Sequence, residues 1–273
     1  MFRLDEDIVL KAAGSGAYRV TVSGRWQVVV GPNGGYICAI LLSGMKRELG
    51  DDAPPTRSIT CHYLSASVAG EARLEVHVEK RGRSLSTVTS RLTQGERTIA
   101  FAIATFGGAR PSIEFCDMSP PPVAPPETIA KTSIMRPGMT NHAPFRDNFE
   151  QRLAIGPVPP GTNQQGHVGG WTRFVDGRPF DDLAMVAIAD SWFPSFAVKP
   201  LPAPMHAPTI DYTVHILADL PLERLGPDDF ILAEFETRVA SAGYLVEDGR
   251  IWTADGELMA TSRQLAALLP RDG

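Results

Sequence analysis

The sequence predicts an α+β protein in which an antiparallel sheet wraps a buried helix, with that unit present twice. Three observations lead there. The segments Tyr36-Ile-Cys-Ala-Ile-Leu-Leu42 and Leu183-Ala-Met-Val-Ala-Ile-Ala189 are apolar on every side, the pattern of a helix enclosed by a core. Each is followed by alternating segments punctuated by glycine, the period of half-buried strands. The two series also share landmarks: Thr56, after Pro55, stands six positions before His62, and Thr209, after Pro208, stands six before His215. They close on Ile99-Ala-Phe-Ala102 and Leu258-Met-Ala-Thr261. This is an internal duplication.

In the first half, Gly31-Pro-Asn-Gly-Gly35 leads into the apolar helix, which runs on to Lys46, Arg47 and Glu48, with Asn33 placed to cap it. Ala72, Leu74, Val76 and Val78 then alternate with Arg73, Glu75, His77 and Glu79, and strands are expected near 56–66, 83–94 and 97–107 as well. Gly70, Gly82 and Gly95 supply the turns. Prolines in Ser119-Pro-Pro-Pro-Val-Ala-Pro-Pro-Glu127 oppose both helix and central strand, so this stretch reads as a linker. The expected division is 1–110, a linker over 111–144, and 145–273. In the second half a matching helix is expected over 183–196, with strands near 207–217, 228–239, 242–254 and 257–268. Two such halves can join their sheets edge to edge and cover two exposed strand edges. That architecture is a double hot dog.

With 273 residues, 43% of them hydrophobic and 21% charged, the chain has the composition of an ordinary globular protein. A net charge of −5 offers no basic field for nucleic acid or anionic lipid, so neither is an expected partner. The longest apolar runs fall far short of the ~18 to 20 residues needed to span a bilayer. The N-terminus, Met1-Phe-Arg-Leu-Asp-Glu-Asp7, is acidic where a signal peptide is basic, and a cytoplasmic location is expected. Cys38, Cys61 and Cys116 give neither an even disulfide framework nor a metal-binding spacing.

Nucleophile-elbow, phosphate-loop, dinucleotide-fingerprint and zinc-helix motifs are all missing. The histidines at 62, 77, 142, 167, 206 and 215 show no paired spacing, so neither metal nor cofactor is expected. Cys61 and His62 are strand neighbours facing opposite ways and make a poor nucleophile and base pair. The most informative residue is Asp190, which follows seven apolar residues and precedes Trp192 and Phe193. A carboxylate in such company costs several kcal/mol unless paired, and such groups gather at functional sites. It can equally end the helix facing solvent or pair with a distant arginine. Thr209 opens a strand, where threonine is common in any case. Gln264 lies in the last strand of the second half, and repeat alignment sets it against the small Ala104, which suggests that only the second half is equipped.

The chain resembles the acyl-CoA thioesterase II family, the TesB-like double hot-dog enzymes. The likeness runs from about residue 20 to 268 and is carried by Gly31-Pro-Asn-Gly-Gly-Tyr36, by Ala207-Pro-Thr-Ile-Asp-Tyr-Thr-Val-His215, and by Asp255-Gly-Glu-Leu-Met-Ala-Thr-Ser-Arg-Gln264. Members of that family use an Asp, a Thr or Ser opening a strand, and a Gln in the final strand. The resemblance places these roles on Asp190, Thr209 and Gln264. It departs in the first helix, where the family's Phe-Gly-Gly-Gln is replaced by Asn33-Gly34-Gly35-Tyr36, and in the proline-rich linker.

The implied chemistry is hydrolysis of an acyl-CoA thioester by water, with Asp190 as general base and Thr209 and Gln264 holding the water in line. Asn33, Gly34 and Gly35 are expected at the substrate, the two glycine amides being candidates to polarise the thioester oxygen. In Lys80-Arg81-Gly82-Arg83, Arg81 and Arg83 are candidates for the phosphates of coenzyme A, or else form a solvated turn. Two other readings stand beside hydrolysis. One is a binding protein for acyl-CoA or acyl carrier protein. The other is an enoyl-CoA hydratase, which is disfavoured because no Asp has a His five positions on. Homo-oligomers are expected, since hot-dog sheets leave edges and outer faces that associate.

Overall fold

The computed structural model describes residues 1–28, 30–131, 143–156 and 164–270. A short helix α1 (Arg3–Asp7) and the hairpin β1 (Lys11–Gly14) and β2 (Ala17–Val22) lead to helix α2 (Gly34–Leu49), then to β3 (Thr56–Tyr63), β4 (Gly70–Arg81), β5 (Ser86–Gln94) and β6 (Arg97–Phe106). The second half repeats the order: β7 (Phe149–Ile155), β8 (Gly166–Phe174), helix α3 (Asp182–Ile188), the small β9 (Met205–His206), β10 (Thr209–Ile216), β11 (Ile231–Ser241), β12 (Tyr244–Trp252), β13 (Leu258–Ala267) and β14 (Leu269–Pro270). Among the described residues twelve strands form one antiparallel sheet in the order β1-β2-β4-β5-β6-β3-β10-β13-β12-β11-β8-β7. The two halves share that sheet through β3 and β10, where Thr60 stands opposite Thr213. Their hydroxyls lie 3.0 Å apart. Thr60 and Thr213 are thus equivalent positions about a local two-fold axis, which also relates Ile59 to Tyr212 and Thr56 to Thr209. The architecture is the double hot dog that the repeated pattern predicts.

Helix α2 forms because its sequence meets every local requirement. Asn33 Oδ1 accepts the Tyr36 N–H at 3.0 Å as N-cap. The next two turns carry Ile37, Cys38, Ala39, Ile40 and Leu41, all buried, and the Gly50 N–H closes the far end on the carbonyls of Lys46 and Arg47. Burying the helix all round places it at the centre of the larger core, against the first-half strands and α3.

Two expectations are corrected. The second helix ends at Ile188 rather than near 196. Pro194 has no N–H to continue it and biases Phe193 away from helix, while the Ser191 N–H turns back onto the Ile188 carbonyl at 2.9 Å. Asp190 therefore sits in a turn just beyond the helix. The strands β1, β2, β7 and β8 also extend each half beyond the four expected. The proline-rich stretch lies across the outer face of the second half, where Val123 and Ile129 pack on Ile155, Trp171, Leu232 and Trp252. The Trp171 indole donates to the Ala124 carbonyl at 2.8 Å. Among the described residues no helix is long and apolar enough to cross a membrane.

Candidate active site

The tight turn after α3 delivers Asp190 to the N-terminus of α2. Its Oδ2 accepts the Gly35 N–H at 2.8 Å and Asn33 Nδ2 at 3.0 Å, and Asn33 Nδ2 also reaches the Asp190 carbonyl at 2.8 Å. Gly35 is required for this approach. A Cβ there would stand 2.7 Å from the Val186 carbonyl oxygen and 3.0 Å from Asp190 Cβ. Burial pushes the Asp190 carboxyl up to about 7, with a further push from the charge of Glu247, against the pull of the Gly34 and Gly35 amides and Asn33. The neighbouring Cys38, Tyr63 and Tyr212 are pushed well above their ordinary values, so they bring no negative charge of their own at neutral pH.

Thr209 and Gln264 arrive from adjacent strands. Without a break in register, Thr209 would share the outward face of Asp211 and Thr213. A shift between Thr209 and Asp211 turns it inward, and its Oγ1 donates to Gln264 Oε1 at 2.8 Å. Gln264 stands between Tyr212 on β10 and Glu247 on β12, and its Nε2 donates to Glu247 Oε1 at 2.6 Å. Glu247 Oε2 in turn accepts the Ser195 N–H and hydroxyl, both at 2.5 Å, and Ser195 Oγ lies 2.8 Å from Thr237 Oγ1. Burial pushes the Glu247 carboxyl up while those donors pull it down. Sequence reasoning missed Glu247. The signal was available: it stands on the inward phase of β12, in register with Leu245, Gly249 and Ile251.

Asn33, Gly34, Asp190, Thr209, Glu247 and Gln264 all line one cavity of about 760 Å³. Its remaining wall is largely apolar and aromatic, including Ile37, Phe145, Trp192 and Phe193. Arg81 and Arg83 are not brought to it. Arg81 donates to the carbonyls of Glu48 and Leu49, at the opposite end of α2 and about 20 Å from Gly34 along a helix of this length, and Arg83 is exposed in the adjacent turn. The Gly35 amide is likewise committed to Asp190 rather than turned toward a substrate oxygen. Among the described residues, no group of three or more His, Cys, Asp or Glu is arranged to hold a metal.

The duplicated half supplies an internal comparison. Ala104 pairs with Ile59 and Val88, as Gln264 pairs with Tyr212 and Glu247, so Gln264 corresponds to Ala104 and Glu247 to Val88. Counting from the two helix N-caps, Asn33 and Asp181, Asp190 corresponds to the fully buried Leu42. Thr56 keeps its hydroxyl but donates it to Asp182 Oδ2 at 2.6 Å, beside the ion pair of Asp182 with Lys46. Among the described residues, one such polar set is assembled.

Comparison with known proteins follows the same two halves. A family model described as the acyl-CoA thioesterase N-terminal domain matches residues 22–107, and one described as the acyl-CoA thioesterase C-terminal domain matches residues 117–268. No curated protein matches the chain. Among solved structures, a hot dog fold protein of unknown function from Alicyclobacillus acidocaldarius superposes with a TM-score of 0.89 at 24% identity, covering 100% of both chains. The tesB protein of Mycobacterium avium subsp. paratuberculosis gives 0.75 at 17% identity over 98% of each chain. The acyl-CoA thioesterase II TesB2 of Mycobacterium marinum gives 0.75 at 17% identity over 99% of each. At these identities the structural likeness speaks to the fold alone, while the two domain models account for most of the sequence: this chain belongs to the acyl-CoA thioesterase family.

Proposed function

We propose that the protein hydrolyses acyl-CoA thioesters with Asp190 as general base and water as the nucleophile. The observation that carries this reading is a carboxyl pushed up to about 7 on the wall of a largely apolar cavity that also holds Thr209 and Gln264. A base with a pKa near the working pH combines a large ionised fraction with a strong drive to take a proton. Oδ2 of Asp190 is held by the start of α2, which leaves Oδ1 to receive the proton of the water. As the water oxygen bonds to the thioester carbon, Thr209 and Gln264 keep it in line. Collapse of the tetrahedral intermediate breaks the carbon–sulfur bond, and the proton held by Asp190 passes to the departing sulfur. A fatty or aromatic acyl group would occupy the apolar part of the cavity.

The test is release of free thiol, followed with a thiol-reactive dye, from short, medium, long and aromatic acyl-CoAs. Wild type is expected to release thiol from at least one, and Asp190→Asn to release it at least about 100-fold more slowly while still binding the substrate. Release by Asp190→Asn at the wild-type rate would remove the base assignment. Binding without release by wild type would favour the binding-protein reading.

A further inference from the structure

We propose that Glu247 is a positioning residue for this site: by accepting Gln264 Nε2 it fixes the carboxamide with Oε1 toward Thr209, so that the Thr209 hydroxyl gives its proton to Gln264 and offers its lone pairs to the attacking water. The inference rests on the hydrolytic reading above. Its basis is the direction of the hydrogen bonds. Thr209 donates to Gln264 and Gln264 donates to Glu247, while Glu247 also takes both donors of Ser195. Glu247 thus closes one end of a chain whose other end faces the cavity. The hydroxyl bond it accepts from Ser195, at 2.5 Å, has the length of a charge-assisted O–H···O⁻ contact. The Ser195 N–H is free to serve here because it opens the 3-10 turn Ser195–Val198 and has no partner within that turn.

The repeat argues that this carboxyl belongs with the site rather than with the fold. The same sheet position in the first half is Val88, next to Ala104, and both are buried there in the same kind of strand with no carboxyl. Glutamate and glutamine occur together in one half, and valine and alanine together in the other.

A second consequence concerns Asp190. The titratable groups facing it are Glu247 from β12, Cys38 from α2, Cys61 and Tyr63 from β3 and Tyr212 from β10, with Arg146 and His206 further along the cavity wall. Glu247 is the carboxylate in this group, and its charge opposes ionisation of Asp190. Neutralising it favours the ionised base, which shifts the acid limb of the rate profile to lower pH even as water positioning is lost.

The experiment measures kcat, KM and the pH profile for Glu247→Gln, Thr209→Ala and the double variant, with Asp190→Asn alongside. Expected are a fall in kcat of about 10- to 100-fold for Glu247→Gln with KM little changed, an acid limb displaced to lower pH, and a double variant no slower than Thr209→Ala by more than about twofold. Wild-type kcat in Glu247→Gln, or independent multiplication of the two effects, would overturn the proposal. If Glu247→Gln does not fold, Ser195→Ala replaces it: that variant removes a donor from the far side of Glu247, is expected to lower kcat in the same non-additive manner with Thr209→Ala, and overturns the proposal if its effect is additive. Asp190→Asn releasing thiol at the wild-type rate would instead remove the base assignment, and wild type binding acyl-CoA without releasing thiol would remove the hydrolytic reading, so these failures are distinguishable from failure of the Glu247 proposal.

Discussion

Replacing Asp190 by Asn is predicted to slow turnover by orders of magnitude and to make the protein more stable above neutral pH. The two donors on Oδ2, the Gly35 N–H and Asn33 Nδ2, can both be met by the oxygen of an Asn carboxamide, so the junction of α2 and α3 survives. What disappears is the cost of ionising a carboxyl in this cavity. The group titrates near 3.8 in the unfolded chain and at about 7 in the folded one. Between those values the folded protein holds a proton that the unfolded chain has released, so unfolding free energy falls as pH rises through this window and levels off above it. A gap of about three pH units amounts to roughly 4 kcal/mol. Asp190→Asn lacks this dependence. Urea unfolding of both proteins at pH 5 and pH 8 should show the advantage of the variant growing by about 2 to 3 kcal/mol between the two conditions, while its thiol release is lower by about 100- to 10,000-fold. An advantage equal at both pH values would mean that the carboxyl titrates in its ordinary range, and the argument for a tuned base would fall with it.

The wild-type kcat/KM should rise with pH to half its plateau near 7, following the carboxyl that burial pushes up; a midpoint near 4 would contradict that cause. Asn33→Ser keeps a helix cap but removes a donor to the carboxylate, and should move this midpoint up by about one pH unit, read from the same profile. Gly35→Ala forces a Cβ to within 2.7 Å of the Val186 carbonyl oxygen, so urea unfolding should register a loss of about 1 to 3 kcal/mol, with turnover falling as α3 and Asp190 are displaced. Arg81→Ala should leave the KM for acyl-CoA unchanged and cost about 1 kcal/mol through its bonds to the end of α2; a several-fold rise in KM would return Arg81 to the substrate.

The elements with strong local signals were legible in the sequence, and those specified by neighbours were not. Asn33 before an all-apolar run located the start of α2 to the residue, and the alternation from Ala72 located β4. The end of α3 was misjudged because the apolar run continues through Trp192 and Phe193, and hydropathy does not register the turn in which the Ser191 N–H closes back on the Ile188 carbonyl. In β8 the glycines at 166, 169 and 170 dilute the strand pattern, because the adjacent strands leave no room for side chains at those positions. Asp190 stood out as a carboxylate in apolar company, and Gln264 through its alanine counterpart. Glu247 did not stand out, since Asp248, Gly249 and Arg250 beside it make the segment read as polar surface. Arg81 was left open between a phosphate contact and a solvated turn, because a charged hairpin carries no record of which helix end lies beneath it.

The local two-fold axis between Thr60 and Thr213 has a bearing on stoichiometry. Were the two halves identical, each would have to carry the same side chains, and any constraint set by catalysis would fall on both ends of the core. Covalent fusion lifts that constraint. One end can keep an ionisable group at a helix start, and the other can be sealed with Leu42, Val88 and Ala104 and clamped by Asp182 and Lys46. An active-site titration should therefore count one reacting centre per chain, and substitutions at the sealed end should be felt as changes in rigidity rather than in turnover.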